Sequence, residues 1–102
     1  MARDGKGRRS LPRLVRLTTG YRDASHLRRG SPEARALAVT IRALAATPDL
    51  PELGDLSVLV DPDERGVQLL THVRRVHGHN LWVWYTATDD ELLLRALTHE
   101  PP

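Results

Sequence analysis

The chain has 102 residues, enough for one domain with a modest core. It has no cysteine, which excludes disulfides and thiolate metal sites, and no apolar run approaches the ~18 residues that a membrane span needs. The net charge of +2 conceals an asymmetry: residues 1–30 carry nine basic and two acidic side chains, residues 31–70 three and seven, and residues 71–102 three and four.

The basic N-terminus has no apolar stretch behind it, so it does not read as a signal peptide, and a soluble cytoplasmic protein is expected. All the basic residues except Lys6 are arginine. Arginine suits planar, bidentate phosphate contacts, although a GC-rich genome explains the same excess equally well.

Residues 1–10 contain two Gly and no apolar periodicity, and are read as a basic flexible tail. Residues 11–102 are read as a single α+β domain. Arg13 to Leu17 is a candidate first strand. Tyr21 to Arg29 is ambiguous, and a short helix there would put Tyr21, Ala24, Ser25 and Arg28 on one face. Ser31-Pro32-Glu33 is a strong helix start, because Ser caps, Pro suits the first helical position and Glu complements the positive end of the dipole. Leu37, Ile41 and Leu44 then recur at helical spacing to about Ala46, where Thr47-Pro48 ends the run.

Residues 48–55 form a Pro-containing acidic connection. From residue 56 the period becomes two. Leu56 to Val60 is a short strand, Asp61 to Gly66 a turn, Val67 to Val76 a long strand, and His77 to Asn80 a hairpin loop. Leu81 to Thr88 and Glu91 to Thr98 follow, both apolar on two faces, as expected of central strands with a helix over one side. The expected architecture is an antiparallel sheet of four to five strands with one or two N-terminal helices packed on one face.

Several residues carry two readings. Trp82 and Trp84 share a face, and either pack under the helix or form a stacking platform for RNA bases. Arg74 and Arg75 alternate faces, so one at most points into a given site. His99, near the C-terminus, is either a plain terminal polar group or an acid–base group. His72, His77 and His79 lack a patterned carboxylate, and no metal or cofactor is expected. Arg8 and Arg9 of the tail, with Arg13 and Arg16 beyond it, are candidate contacts to nucleic-acid phosphates.

Val73-Arg-Arg-Val76, then Leu81-Trp-Val-Trp-Tyr85, the acidic turn Asp89-Asp-Glu91, Leu92-Leu-Leu94 and the terminal His99 resemble the RelE/ParE superfamily of bacterial toxins, most closely its YoeB-type mRNA endonucleases. The resemblance is specific over about the last thirty residues and covers the rest in outline. It implies a type II toxin that cuts mRNA on the ribosome without a cofactor and is held by a cognate antitoxin. Whether the chain also forms a homodimer stays open.

By position, Arg74 or Arg75 would stabilise the scissile phosphate and His99 would titrate. The family usually has an aromatic residue after that histidine. Here Glu100 stands there, and it could substitute as an acid–base group. The family also commonly has an Arg near the start of the penultimate strand, where this chain has Leu81-Trp82. These departures favour two other readings: a non-catalytic binding module of the same fold, or a ParE-like gyrase inhibitor.

Overall fold

The structure, a computed structural model, describes residues 11–24, 26–59 and 70–102. In chain order it has β1 (Leu14–Leu17), α1 (Thr19–Ala24), α2 (Pro32–Ala46), β2 (Leu56–Leu59), β3 (Leu70–Arg75), β4 (Trp82–Ala87) and β5 (Glu91–Thr98). The expected tail, with Arg8 and Arg9, lies outside the described residues, as do the turn at Asp61–Gly66 and the first residues of the long strand.

Local chemistry places α2 where the sequence puts it. The Ser31 side chain accepts a hydrogen bond from the Ala34 N–H at 3.1 Å, and Pro32 opens the helix. Thr47 caps its C-terminus in an extended conformation. The ambiguous segment after Tyr21 resolves into α1, which ends at Ala24. The Thr18 hydroxyl accepts from the Tyr21 N–H at 3.3 Å and lies 2.9 Å from the Leu94 carbonyl, tying the start of α1 to β5. A Cβ on Gly20 would meet the Arg95 carbonyl oxygen at 3.3 Å, so the glycine lets α1 lie close on β5.

The strands form one five-stranded sheet in the order β1-β5-β4-β3-β2. Strands β2 to β5 pair antiparallel. The expectation of a wholly antiparallel sheet is corrected at β1, which pairs parallel to β5 through Leu14↔Glu91 and Leu17↔Leu94. The cause is topological. Short turns reverse the chain between β3, β4 and β5, whereas β1 and β5 are joined only through the whole intervening chain.

Both helices contribute to one core. Tyr21 of α1 and Leu37 and Leu44 of α2 cluster with Val83 and Tyr85 of β4 and with Leu92, Leu94 and Leu97 of β5. Burying a leucine such as Leu44 or Leu94 fully is worth about 1.5–3 kcal/mol. Strict alternation along β5 would put Leu94 and Leu97 on opposite faces. Pairing slips instead between Trp84 and Tyr85, which face Ala96 and Leu94, so Arg95 is the extra residue of a bulge and both leucines point inward.

The opposite sheet face carries Trp82 and Trp84, both half-buried. Among the described residues no helix covers its Trp82 end, which is the open part of the face, whereas Thr71 and Val73 farther along the same face are buried. The expectation that the tryptophans pack under the helix is therefore corrected: Leu81, Val83 and Tyr85 take those positions. No helix among the described residues is long and apolar enough to cross a membrane.

Candidate functional site

The open face is organised by a row running across three strands. Arg75 of β3 pairs with Trp82 of β4, which pairs with Thr98 of β5. The three therefore share one face, and the outer two lie roughly 10 Å apart by ordinary strand spacing. The Arg75 guanidinium sits 5.5 Å from the Trp82 ring centroid, a cation–π contact. It donates to the His79 carbonyl at 2.8 Å and to Asn80 Oδ1 at 3.1 Å. The hairpin loop thus holds an exposed cation in a defined place.

Thr98 shapes the far end of this row. Its hydroxyl accepts from Trp84 Nε1 at 3.0 Å and donates to the Glu100 carbonyl at 3.2 Å. The first bond fixes the indole, and the second holds the bend at His99 and Glu100. Trp84, Thr98, His99, Glu100 and Pro101 then line an open cavity of about 430 Å³. His99 and Glu100 are both exposed there. An imidazole, a carboxylate and an aromatic surface on one rim, with the Arg75 guanidinium at the far end of the strand row, can grip a base and exchange protons with a bound RNA strand. Thr98→Val is expected to reduce any reaction at this cavity about tenfold, while the urea midpoint changes by less than about 1 kcal/mol equivalent. Parallel rate and unfolding measurements check this.

Arg74 is not part of that rim. It points to the helix side, where its Nε and Nη2 each lie 2.8 Å from an Asp55 carboxylate oxygen. Nη2 also donates to Glu52 Oε1 at 2.6 Å. The Tyr85 hydroxyl donates to Asp55 Oδ2 at 2.6 Å. This part-buried inner cluster holds Arg74 in an ion pair on the helix side, away from the cavity lining.

Arg13 is likewise held by groups of the chain itself. It is 4% exposed, and its guanidinium donates to the carbonyls of Thr88, Leu44, Thr47 and Pro48. It ties the negative C-terminal end of α2 to the β4–β5 turn. Arg16 is exposed on the open face beside β5, 3.2 Å from Glu91 Oε2. Among the described residues no group of three or more His, Asp or Glu stands ready to hold a metal ion.

The inner cluster shifts several pKa values. Burial pushes the Asp55 carboxyl up, but hydrogen bonds from Arg74 and Tyr85 and the charge of Arg74 outweigh it and hold the group below the ordinary carboxylate range. Burial, then the Asp55 hydrogen bond and charge, raise the Tyr85 phenol well above its usual value. His72 shares a 2.9 Å hydrogen bond between its Nδ1 and Ser57 Oγ, and its ring centroid lies 5.4 Å from that of Tyr85. Burial lowers its pKa, offset in part by the charge of Asp55.

Depressed folded-state values make both groups stabilising at high pH. The His72 contribution is present above about pH 6.5 and the Asp55 contribution above about pH 4, and each is lost as pH falls through its folded value. Urea midpoints are therefore expected to fall on acidification in two steps, with His72→Gln abolishing the upper one. A midpoint that rises between pH 7 and pH 5 would contradict this.

Sequence reasoning passed over Thr98 and Asp55. Thr98 sits one residue before the histidine that drew notice, and its role exists only once β4 and β5 are paired. Asp55, in an acidic connection immediately before β2, was the one available signal of a partner for an arginine on β3. No protein-family model, curated protein or solved structure matches this chain.

Proposed function

We propose that this protein is the toxin of a type II toxin–antitoxin pair, a ribosome-dependent mRNA endonuclease that works on the open face of its sheet by acid–base catalysis. The observation that carries the reading is the cavity lined by Trp84, Thr98, His99 and Glu100, next to the Arg75–Trp82 row. RNA laid across this face would stack a base against indole and set its phosphate near a guanidinium.

In the proposed step, one of His99 and Glu100 takes the proton from a ribose 2′-hydroxyl, and that oxygen attacks the adjacent phosphorus. The other gives a proton to the departing 5′-oxygen. The products are a 2′,3′-cyclic phosphate and a free 5′-hydroxyl, and Arg75 balances the charge that builds on the phosphorane. The partners of this reading are mRNA on the ribosome and a cognate antitoxin.

Controlled expression tests it. Growth arrest is expected within minutes of induction, relieved when the product of an adjoining short reading frame is supplied. Normal growth with intact mRNA would remove the reading.

A second reading, a non-catalytic RelE-like binding module or a ParE-like gyrase inhibitor, is favoured by one observation. Arg74 is committed to Asp55 and Glu52, so Arg75 is the one member of the arginine pair that faces the cavity side. A supercoiling assay separates the gyrase branch: inhibition at stoichiometric protein with mRNA left intact would favour it.

A further inference from the structure

The side chains that line the cavity after β5 are poor in free hydrogen-bond donors, and that narrows what can enter it. The indole N–H of Trp84 is already taken up by the Thr98 hydroxyl at 3.0 Å. The Thr98 hydrogen is taken up in turn by the Glu100 carbonyl at 3.2 Å. Pro101 has no N–H to give. His99 and Glu100 are the lining side chains with polar atoms left over. The Glu100 carboxylate accepts only, once ionised, and a neutral His99 ring offers one donor and one acceptor. None of the ion pairs among the described residues uses Glu100.

The aromatic part points the same way. Trp84 is half-buried and held by its N–H edge, and its ring lines the cavity. An aromatic face and a carboxylate without an ion-pair partner both attract a cation. The lining supplies no arginine or lysine of its own. Arg75, on the same sheet face, is held over Trp82 by the His79 carbonyl and Asn80. A guanidinium fits this combination of groups: it is planar, stacks on indole, and sets two of its N–H donors against one carboxylate. The cavity opens on the sheet face and does not enclose its contents, which suits the end of a side chain carried by a larger body better than a free small molecule.

We infer that this cavity is a docking site for an arginine side chain presented by a partner protein, its guanidinium stacked on Trp84 and paired with Glu100. An acidic side chain is disfavoured there by the Glu100 charge. A partner bound this way covers the ring on which a base would stack and neutralises a proposed acid–base group, so on the nuclease reading it also shuts the site. The docking itself does not rest on that reading.

The test uses the full chain labelled with ¹⁵N. Its two tryptophans give two indole N–H resonances, which Trp82→Phe assigns. The probes are three capped tripeptides with glycine at each end and arginine, citrulline or glutamate between. The arginine peptide is expected to shift the Trp84 resonance saturably, and more than that of Trp82. Citrulline has nearly the same shape without the charge, and its peptide is expected to bind about tenfold more weakly or worse. The glutamate peptide is expected not to bind. Glu100→Gln is expected to weaken the arginine peptide about three- to fivefold, the loss of one exposed ion pair. A Trp84 resonance unmoved by excess arginine peptide would overturn the inference. So would equal binding of the citrulline peptide, binding of the glutamate peptide, or unchanged affinity in a folded Glu100→Gln protein. No RNA is present, so docking and cleavage fail separately: binding of the arginine peptide by a protein that leaves mRNA intact in cells would keep the docking site and remove the nuclease.

Discussion

Arg74→Ala is expected to lower the unfolding free energy by about 3 kcal/mol, whereas Arg75→Ala, one residue along, stays within about 1 kcal/mol of the parent. Arg74 makes a bidentate contact to Asp55, whose side chain is only 5% exposed, and removing it leaves a buried carboxylate with the Tyr85 hydroxyl and one backbone N–H. Stripping one partner from a well-buried pair costs about 3–5 kcal/mol. The lower end applies because the Arg74 side chain keeps 18% exposure and its second partner, Glu52, is largely solvated. For a domain of this size that is a fall in Tm of roughly 10–20 °C. Arg75 holds only loop groups and the Trp82 ring. Thermal unfolding of the two variants side by side checks the assignment. A stable Arg74→Ala protein with lost activity would return Arg74 to the site.

His99→Ala is expected to leave the folded state untouched and to slow mRNA cleavage about 10²–10⁴-fold, the usual contribution of one positioned proton-transfer group. His99 is exposed beyond the last strand, so nothing in the core depends on it. Glu100→Gln, which keeps shape and removes the charge, should cause a loss of similar size, because in the proposed reaction the two groups would handle opposite ends of one displacement. Single-turnover rates over a range of pH distinguish a chemical role from a positional one. Removing either group should abolish one limb of the profile, while a merely structural residue would lower the whole curve evenly.

The sequence was most informative where chemistry is local. The Ser31-Pro32 start and Thr47 end of α2 need only neighbours within one turn, and the hairpin loop at His77–Asn80 follows from composition. The alternation of Arg74 and Arg75 was legible, but not which of them faced water, because that depends on which side the helices cover. β4 is apolar on both faces, so its pattern gives no answer. The bulge at Arg95 breaks the period of two between Leu94 and Leu97, but leucines on both faces at residues 92–94 hide the break in the sequence.

Arg13 shows the same limit in another form. A count of charges treats it as part of a basic solvent-facing third, yet four carbonyls from two distant turns enclose it. The pairing of Asp55 with Arg74, and of β1 with β5, joins segments far apart in the chain, and only packing decides between such partners.

The most direct test of a nuclease on the open face is primer extension on a defined message, with and without translating ribosomes, in the presence of purified protein. Cuts within the reading frame that leave a 5′-hydroxyl on the downstream fragment, resistant to a 5′-monophosphate-dependent exonuclease, are expected only with ribosomes and are expected to vanish with His99→Ala. A full-length message under every condition, from protein shown to be folded, would contradict it.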